Sequence, residues 1–226
     1  MTRAAVRPAS TVVVVRETPG PEGFEVLMVR RNDKVAFMAG AYVFPGGRVD
    51  DDDVARANGD AAQAHRLAAV REVQEEAGVV VDPDDLVLIA HWVTPEIEIR
   101  RYDTRFFLVR MPEGQHARHD AGETTELAWL SPRQAIDRGQ RGEIMLPPPT
   151  WTTLKRLHRH HSVSDLFAWA RSVTLIPRVQ PHFLKDADQS VLTLPGDPTY
   201  PTIDGWEVPE ETRFVLRDGR WRPASR

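Results

Sequence analysis

In the stretch "REVQEEAGVV", Arg71–Val80, three glutamates fall within five residues, Glu72, Glu75 and Glu76, directly after an arginine. Carboxylates this close repel one another in water and require a compensating positive charge. Hard oxygen donors suit Mg²⁺ or Mn²⁺, and a carboxylate beside such an ion is placed to take a proton from water, the chemistry of diphosphate cleavage. The carrier segment, Ala61–Ala77, is rich in alanine and other strong helix formers and stops at Gly78, where a left-handed cap would close a helix. At about 3.6 residues per turn, Val70, Val73 and Ala77 fall on one side and the three glutamates nearly opposite. The i, i+3, i+4 spacing lets the oxygens converge on one point. A plain solvated face has the same periodicity, and pattern alone leaves both readings open.

A second candidate, "VFPGG", ends at Gly47, 24 residues before Arg71. Gly46 and Gly47 follow an apolar run and allow a tight turn and a close approach of backbone amides and carbonyls to metal or phosphate. Arg30, Arg31, Lys34 and Arg48 flank this segment and suit a diphosphate or a terminal phosphate, although solvated loop cations have the same sequence signature. Further along, "DAGETTELAW" offers two more acids, Glu123 and Glu126, just before a strand tryptophan, where exposed loop acids have the same signature. Glu96 and Glu98 alternate with Ile97 and Ile99 and read as the polar face of a strand. The "HRHH" run at 158–161 reads as a solvated helix end, because consecutive residues do not share a helix face.

The elements that must position these groups alternate between strand and helix. "STVVVVRE" and "FEVLMVRR" read as two strands about a Pro/Gly turn, and the acidic "VDDDDVARANGD" as an exposed loop before the glutamate helix. Strands return in "DLVLIAHWV", "RRYDTRFFLVRM" and "TELAWLS", and Ser131 caps a short helix with Pro132 in its first turn. In the tail, "TWTTLKRLHRH" and "SDLFAWARS" have helical spacing, with Trp151, Phe167 and Trp169 as core or dimer contacts, and a terminal hairpin is expected at Asp218-Gly219. The whole reads as a mixed α/β layered domain over 10–140, with a flexible stretch at 1–9 and an extension at 141–226 packed on the same domain or on a homodimer partner.

Composition narrows the function classes. A chain of 226 residues with 41% hydrophobic content buries a sizeable core. A net charge of −4 and a pI near 6.1 give no global footprint for nucleic acid. There are no cysteines, so any metal is held by oxygen or histidine. The longest apolar run, "TVVVV", is too short to span a membrane, and the cytoplasm is the expected compartment.

Taken together, the segment from Gly47 to Val79 resembles the Nudix box, G-x5-E-x7-R-E-U-x-E-E-x-G-U with U aliphatic; Arg71, Glu72, Val73, Glu75, Glu76, Gly78 and Val79 fill its second half. The resemblance implies an α/β/α sandwich with a mixed sheet that hydrolyses a nucleoside diphosphate linked to another moiety. It implies Mg²⁺ or Mn²⁺ on Glu72, Glu75, Glu76 and the Gly47 carbonyl, with Arg71 orienting the acids, and a further metal ligand or base from a loop after the box, for which Glu123 is preferred over Glu126. The first half departs from the pattern: the expected glutamate falls on Asp53 counting from Gly47 and on Gln63 counting back from Arg71, an insertion of ten residues. An insertion at this point is similar to the branch of coenzyme A diphosphatases. Their second signature, L-L-(T/S)-x-R-(S/A)-x3-R-x3-G-x3-F-P-G-G, is matched by Leu27, Arg31, Gly40 and "FPGG", while Asn32 and Ala36 depart from it. Implied alternatives are a diphosphatase for ADP-ribose, NADH or a nucleotide sugar, and a non-catalytic nucleotide-binding regulator on the same scaffold.

Overall fold

The computed structural model describes residues 5–32, 38–118, 124–186 and 189–224. Strands β1 (Val6–Glu17) and β2 (Phe24–Arg31) form an antiparallel pair with Val15 opposite Val26. Two short strands follow: β3 (Tyr42–Val43) pairs with β2, and β4 (Gly46–Arg48) with β1. After helices α1 (Asp51–Arg56) and α2 (Ala61–Ala77) come the antiparallel strands β5 (Val87–Val93) and β6 (Arg101–Arg110). β6 runs parallel to β1 from Val6↔Arg101 to Val15↔Arg110, and β7 (Thr124–Leu130) adds to β2.

Val12, Val13, Val14 and Val15 are all fully buried, as expected of a central strand covered on both faces. Side chains alternate across a strand with a period of two, so this run feeds two cores. Val12 and Val14 pack with Leu27, Phe107, Ala69 and Val73 beneath α2. Val13 and Val15 pack on the opposite face with Trp151, Leu154, Leu166 and Phe167, which come from α4 (Pro148–Leu157) and α5 (Val163–Ser172). The result is the expected α/β/α sandwich around a mixed sheet of order β3-β2-β1-β6-β5-β8, where β8 (Arg178–Val179) runs parallel to β5. Helix α3 (Pro132–Gln140), which follows β7, begins at a capping box made by Ser131 and Gln134.

Four local readings change. The chain pairs with β6 from Val6 onward, so residues 6–9 belong to the sheet; a polar sequence suffices there because β6 and β4 supply the ladder partners. The acidic insertion is helical, not a loop: Asp50 caps α1, its side chain accepting from the Asp53 N–H while the Asp53 carboxylate accepts from the Asp50 N–H. Glu96 and Glu98 lie in the connection between β5 and β6, where Ile97 is exposed and Ile99 is 90% exposed; with no adjoining strand, alternation there has nothing to pair with. The tail forms a second, antiparallel sheet of β9 (His182–Asp186), β10 (Gln189–Thr193), β11 (Arg213–Arg217) and β12 (Arg220–Pro223) in the order β12-β11-β10-β9. Its last hairpin turns at Asp218 and Gly219 with φ of 51° and 72°, the two left-handed residues of a type I′ turn. Trp151 and Phe167 are core residues of the sandwich and Trp169 packs against them. Among the described residues no helix is long and apolar enough to cross a membrane.

Candidate active site

Helix α2 is fixed at both ends. The Asp60 side chain accepts from the N–H groups of Ala62 and Gln63, and Gly78 closes the C-terminus with φ of 65° and an N–H donated to the Gln74 carbonyl. Its buried side carries Ala69, Val73 and Ala77, so the last two turns present the acids at a defined height above the sheet.

Arg71 organises them. Nη1 donates to Glu72 Oε1 at 2.8 Å and to Glu75 Oε2 at 3.0 Å, while Nη2 donates to Asp53 Oδ2 at 2.9 Å and to the Arg48 carbonyl at 2.8 Å. Asp50 is a further ion-pair partner at 3.4 Å. Partial burial works against the charge of the guanidinium, but hydrogen bonds to Asp53 and Glu72 outweigh it and hold the pKa above the usual arginine value. Asp53, only 1% exposed, thus links the inserted helix to the glutamate helix. Gln63, the other register candidate, lies in the first turn of α2; its backbone N–H goes to Asp60.

The two glycines are required for different reasons. A Cβ at Gly46 would lie 2.3 Å from the Ser10 carbonyl oxygen and 2.7 Å from Thr11 Cα, atoms of the β1 backbone that cannot yield. The Gly46 N–H donates to Glu76 Oε2 at 2.9 Å, and Glu76 is buried, 7% exposed as a residue. At Gly47 a Cβ would lie 2.4 Å from the Glu72 carboxylate, so the missing side chain is the space that Glu72 occupies. Thus β4 brings Gly46, Gly47 and Arg48 against Glu76, Glu72 and Arg71 respectively. Arg48 contributes its carbonyl here; its side chain was the group expected to meet substrate.

The expected convergence on one point takes a different form. Among the described residues no three carboxylate or histidine groups already share a metal-ligating point; Arg71 joins Glu72 to Glu75, and Glu75 has a side chain 56% exposed. The donor chemistry nonetheless fits a hard cation: carboxylates and backbone carbonyl oxygen only, packed beside a glycine cradle, with no thiolate in the chain. Arg30 is not brought to the acids. It follows Val26 and Met28 onto the tail-side face of β2 and donates to Thr125 Oγ1 at 3.0 Å. Arg31 ends β2 where the register against β7 shifts, and its backbone exchanges hydrogen bonds with Ala41 and Gly40. Glu123 and Lys34 lie outside the described residues. Glu126 is within β7 and accepts from the Tyr42 hydroxyl at 2.6 Å.

Near the other end of α2, His65 is buried: its Nδ1 donates to the Ala9 carbonyl at 3.0 Å, and the Ser10 hydroxyl donates to the His65 carbonyl at 2.7 Å. No sequence pattern marked this pair, because a histidine within an alanine-rich helix carries no spacing signal. Burial, with a smaller push from Arg105, lowers its pKa to about 4. Protonation is therefore harder folded than unfolded, where histidine titrates near 6.5. The stability that follows is complete above that value and is lost as the pH falls toward 4, up to roughly 2–3 kcal/mol. Melting curves from pH 7 to 4.5 should show Tm falling, with a shallower fall in His65→Gln; equal slopes would remove His65 as the cause.

The NUDIX domain family matches residues 6–148, the stretch that holds β4, α2 and all the acids described above. The chain belongs to the Nudix family. It is 28% identical to the human acyl-coenzyme A diphosphatase NUDT19 over 276 aligned positions, covering 80% of this chain and 74% of the human protein. The Xenopus laevis acyl-coenzyme A diphosphatase NUDT19 is 24% identical, covering 79% and 72%. Among solved structures, a NUDIX hydrolase from Alicyclobacillus acidocaldarius superposes with a TM-score of 0.67 at 25% identity, over 77% of this chain and 99% of that one. This Nudix protein is accordingly a hydrolase of the diphosphatase type.

Proposed function

We propose that this Nudix enzyme cleaves the diphosphate of coenzyme A or an acyl derivative, giving 3′,5′-ADP and the (acyl-)4′-phosphopantetheine. The observation that carries the reading is the inserted helix α1, tied to α2 through Asp53 and Arg71, in a box whose interruption resembles that of the coenzyme A diphosphatase branch. The names of the human and Xenopus relatives agree with it. Glu72, Glu75, Glu76 and the Gly47 carbonyl are the groups we assign to Mg²⁺ or Mn²⁺. When bound, the ion supplies neutralisation of charge on the diphosphate and a more acidic water.

The chain's own residues prepare the rest. Arg71 holds Glu72 and Glu75 in place by hydrogen bonds, and the Gly46 N–H holds Glu76 against β4. Glu72, confined between Arg71 and Gly47, accepts the proton of the attacking water, with Glu123 as the second candidate for that role. Incubation with coenzyme A, acyl-coenzyme A, ADP-ribose, NADH and a nucleotide sugar, each with Mg²⁺, Mn²⁺ or EDTA, tests this by mass spectrometry of products. The expected result is metal-dependent 3′,5′-ADP from coenzyme A or its acyl form. Turnover only of the other compounds would move the enzyme to that substrate class, and ligand binding without hydrolysis would make it a regulatory binder.

A further inference from the structure

Ser10 is fully buried beneath α2, on the face of β1 that continues as Val12 and Val14. An alanine would fill the same place without needing a partner. The Ser10 hydroxyl instead donates to the His65 carbonyl at 2.7 Å, and the His65 Nδ1 that donates to the Ala9 carbonyl at 3.0 Å lies 3.1 Å from the same hydroxyl oxygen. The backbone of α2 does not require this bond, since a carbonyl inside a helix already accepts from the N–H four residues on. What a buried, directional bond adds is a single arrangement of the two elements it joins.

We infer that Ser10 is a positioning residue for Glu72, setting the height and rotation of α2 over the β1–β4 pair. Three contacts meet at this one residue. Ser10 pairs with Gly47 across the ladder, and the space that a Cβ would take at Gly47 holds the Glu72 carboxylate. The Ser10 carbonyl oxygen is the atom that a Cβ at Gly46 would approach to 2.3 Å, so the same residue sets how closely β4 runs beside β1. Its side chain then holds α2 at His65. His65 and Glu72 are seven residues apart in α2, so they fall within about 20° of the same side and about 10 Å apart along the axis. The hydroxyl and the glycine thus seat one stripe of the helix at two points. Without the first point α2 can turn about the second. Side-chain oxygens stand about 6 Å from a helix axis, so a rotation of about 10° moves them by about 1 Å. A misplacement of about that size can cost about a hundredfold in rate.

This rests on the assignment of Glu72 to the metal and not on the choice of substrate. Mn²⁺ binding is titrated by calorimetry without substrate in the parent, Ser10→Ala, Glu72→Gln and the double variant. In parallel, kcat and KM are measured on whichever compound of the panel the parent hydrolyses, and the Mn²⁺ titration decides alone if it hydrolyses none. Ser10→Ala should weaken Mn²⁺ binding about fivefold and lower kcat about tenfold with KM within about twofold, because a displaced acid costs rate before it costs substrate binding. In the Glu72→Gln background the same substitution should change each quantity by less than about twofold, as expected of a residue that acts through another. Parent-like Mn²⁺ affinity and kcat in Ser10→Ala, with only a lower Tm, would make Ser10 a packing residue and overturn the proposal. Losses that multiply fully with those of Glu72→Gln would overturn it as well. Glu72→Gln by itself reads the metal assignment: parent-like values in that variant would overturn the assignment, and the proposal with it.

Discussion

Glu76→Gln is expected to lower kcat by about 10³-fold while leaving Tm within about 2 °C of the parent. The two effects separate because of what Glu76 touches. Its Oε2 accepts the Gly46 N–H at 2.9 Å, and glutamine keeps a carbonyl oxygen for that bond in nearly the same volume. What it loses is the negative charge of a buried residue, 7% exposed, beside the glycine turn. On the proposed metal assignment, charge there serves the reaction and not the fold, since repulsion from Glu72 and Glu75 is an electrostatic cost that folding must absorb. Stopped assays of diphosphate cleavage alongside thermal melts check both halves. Unchanged turnover would reject Glu76 as part of the machinery, and a collapse of Tm would make it a structural residue instead.

Arg71→Ala should cost both stability and turnover. Removing the guanidinium leaves Asp53, 1% exposed, without its strongest partner, and frees Glu72 and Glu75 from the hydrogen bonds that hold them. Breaking a buried ion pair from one side costs about 2–4 kcal/mol at a site where the arginine is itself partly exposed, equivalent to a Tm about 10 °C lower in a chain of this size. Turnover should drop about a hundredfold or more, because the acids lose their fixed positions. The decisive measurement is a double-mutant cycle with Asp53→Ala. If the loss arises from the stranded carboxylate, the double variant should be markedly less destabilised than the sum of the singles. Additivity within about 0.5 kcal/mol would show that Arg71 and Asp53 act independently, and would remove the proposed link between α1 and α2.

The sequence by itself determined the parts whose signal is local. The helix from Ala61 to Ala77 follows from composition and from Gly78 as its left-handed stop. The hairpin at Asp218-Gly219 follows from residue types that tolerate positive φ, and the capped helix after Ser131 from a side chain that satisfies its own first turn. The family followed from the match of Arg71–Val79 to its motif, and that match singled out the acids, whose spacing alone left a solvated face equally open. Tertiary structure decided everything that depends on residues distant in the chain. Asp53 is a neutral-looking member of an acidic run until Arg71, eighteen residues later, folds against it. Gly47 is a turn residue in the sequence, and only its contact with Glu72 shows that a missing Cβ makes room for a carboxylate. Arg30 and Arg31 are neighbouring cations in one dimension, of which only Arg31 falls on the second signature, and strand alternation and a register shift give them different surroundings. Ile97 and Ile99 alternate as a strand would and are exposed in a connection, because pairing requires a neighbour that pattern does not supply. Period and propensity act over a few residues and can be read along the chain; ion pairs, close approaches and ladder partners are set by the packing of β4 against α2 and of the tail against the sheet edge.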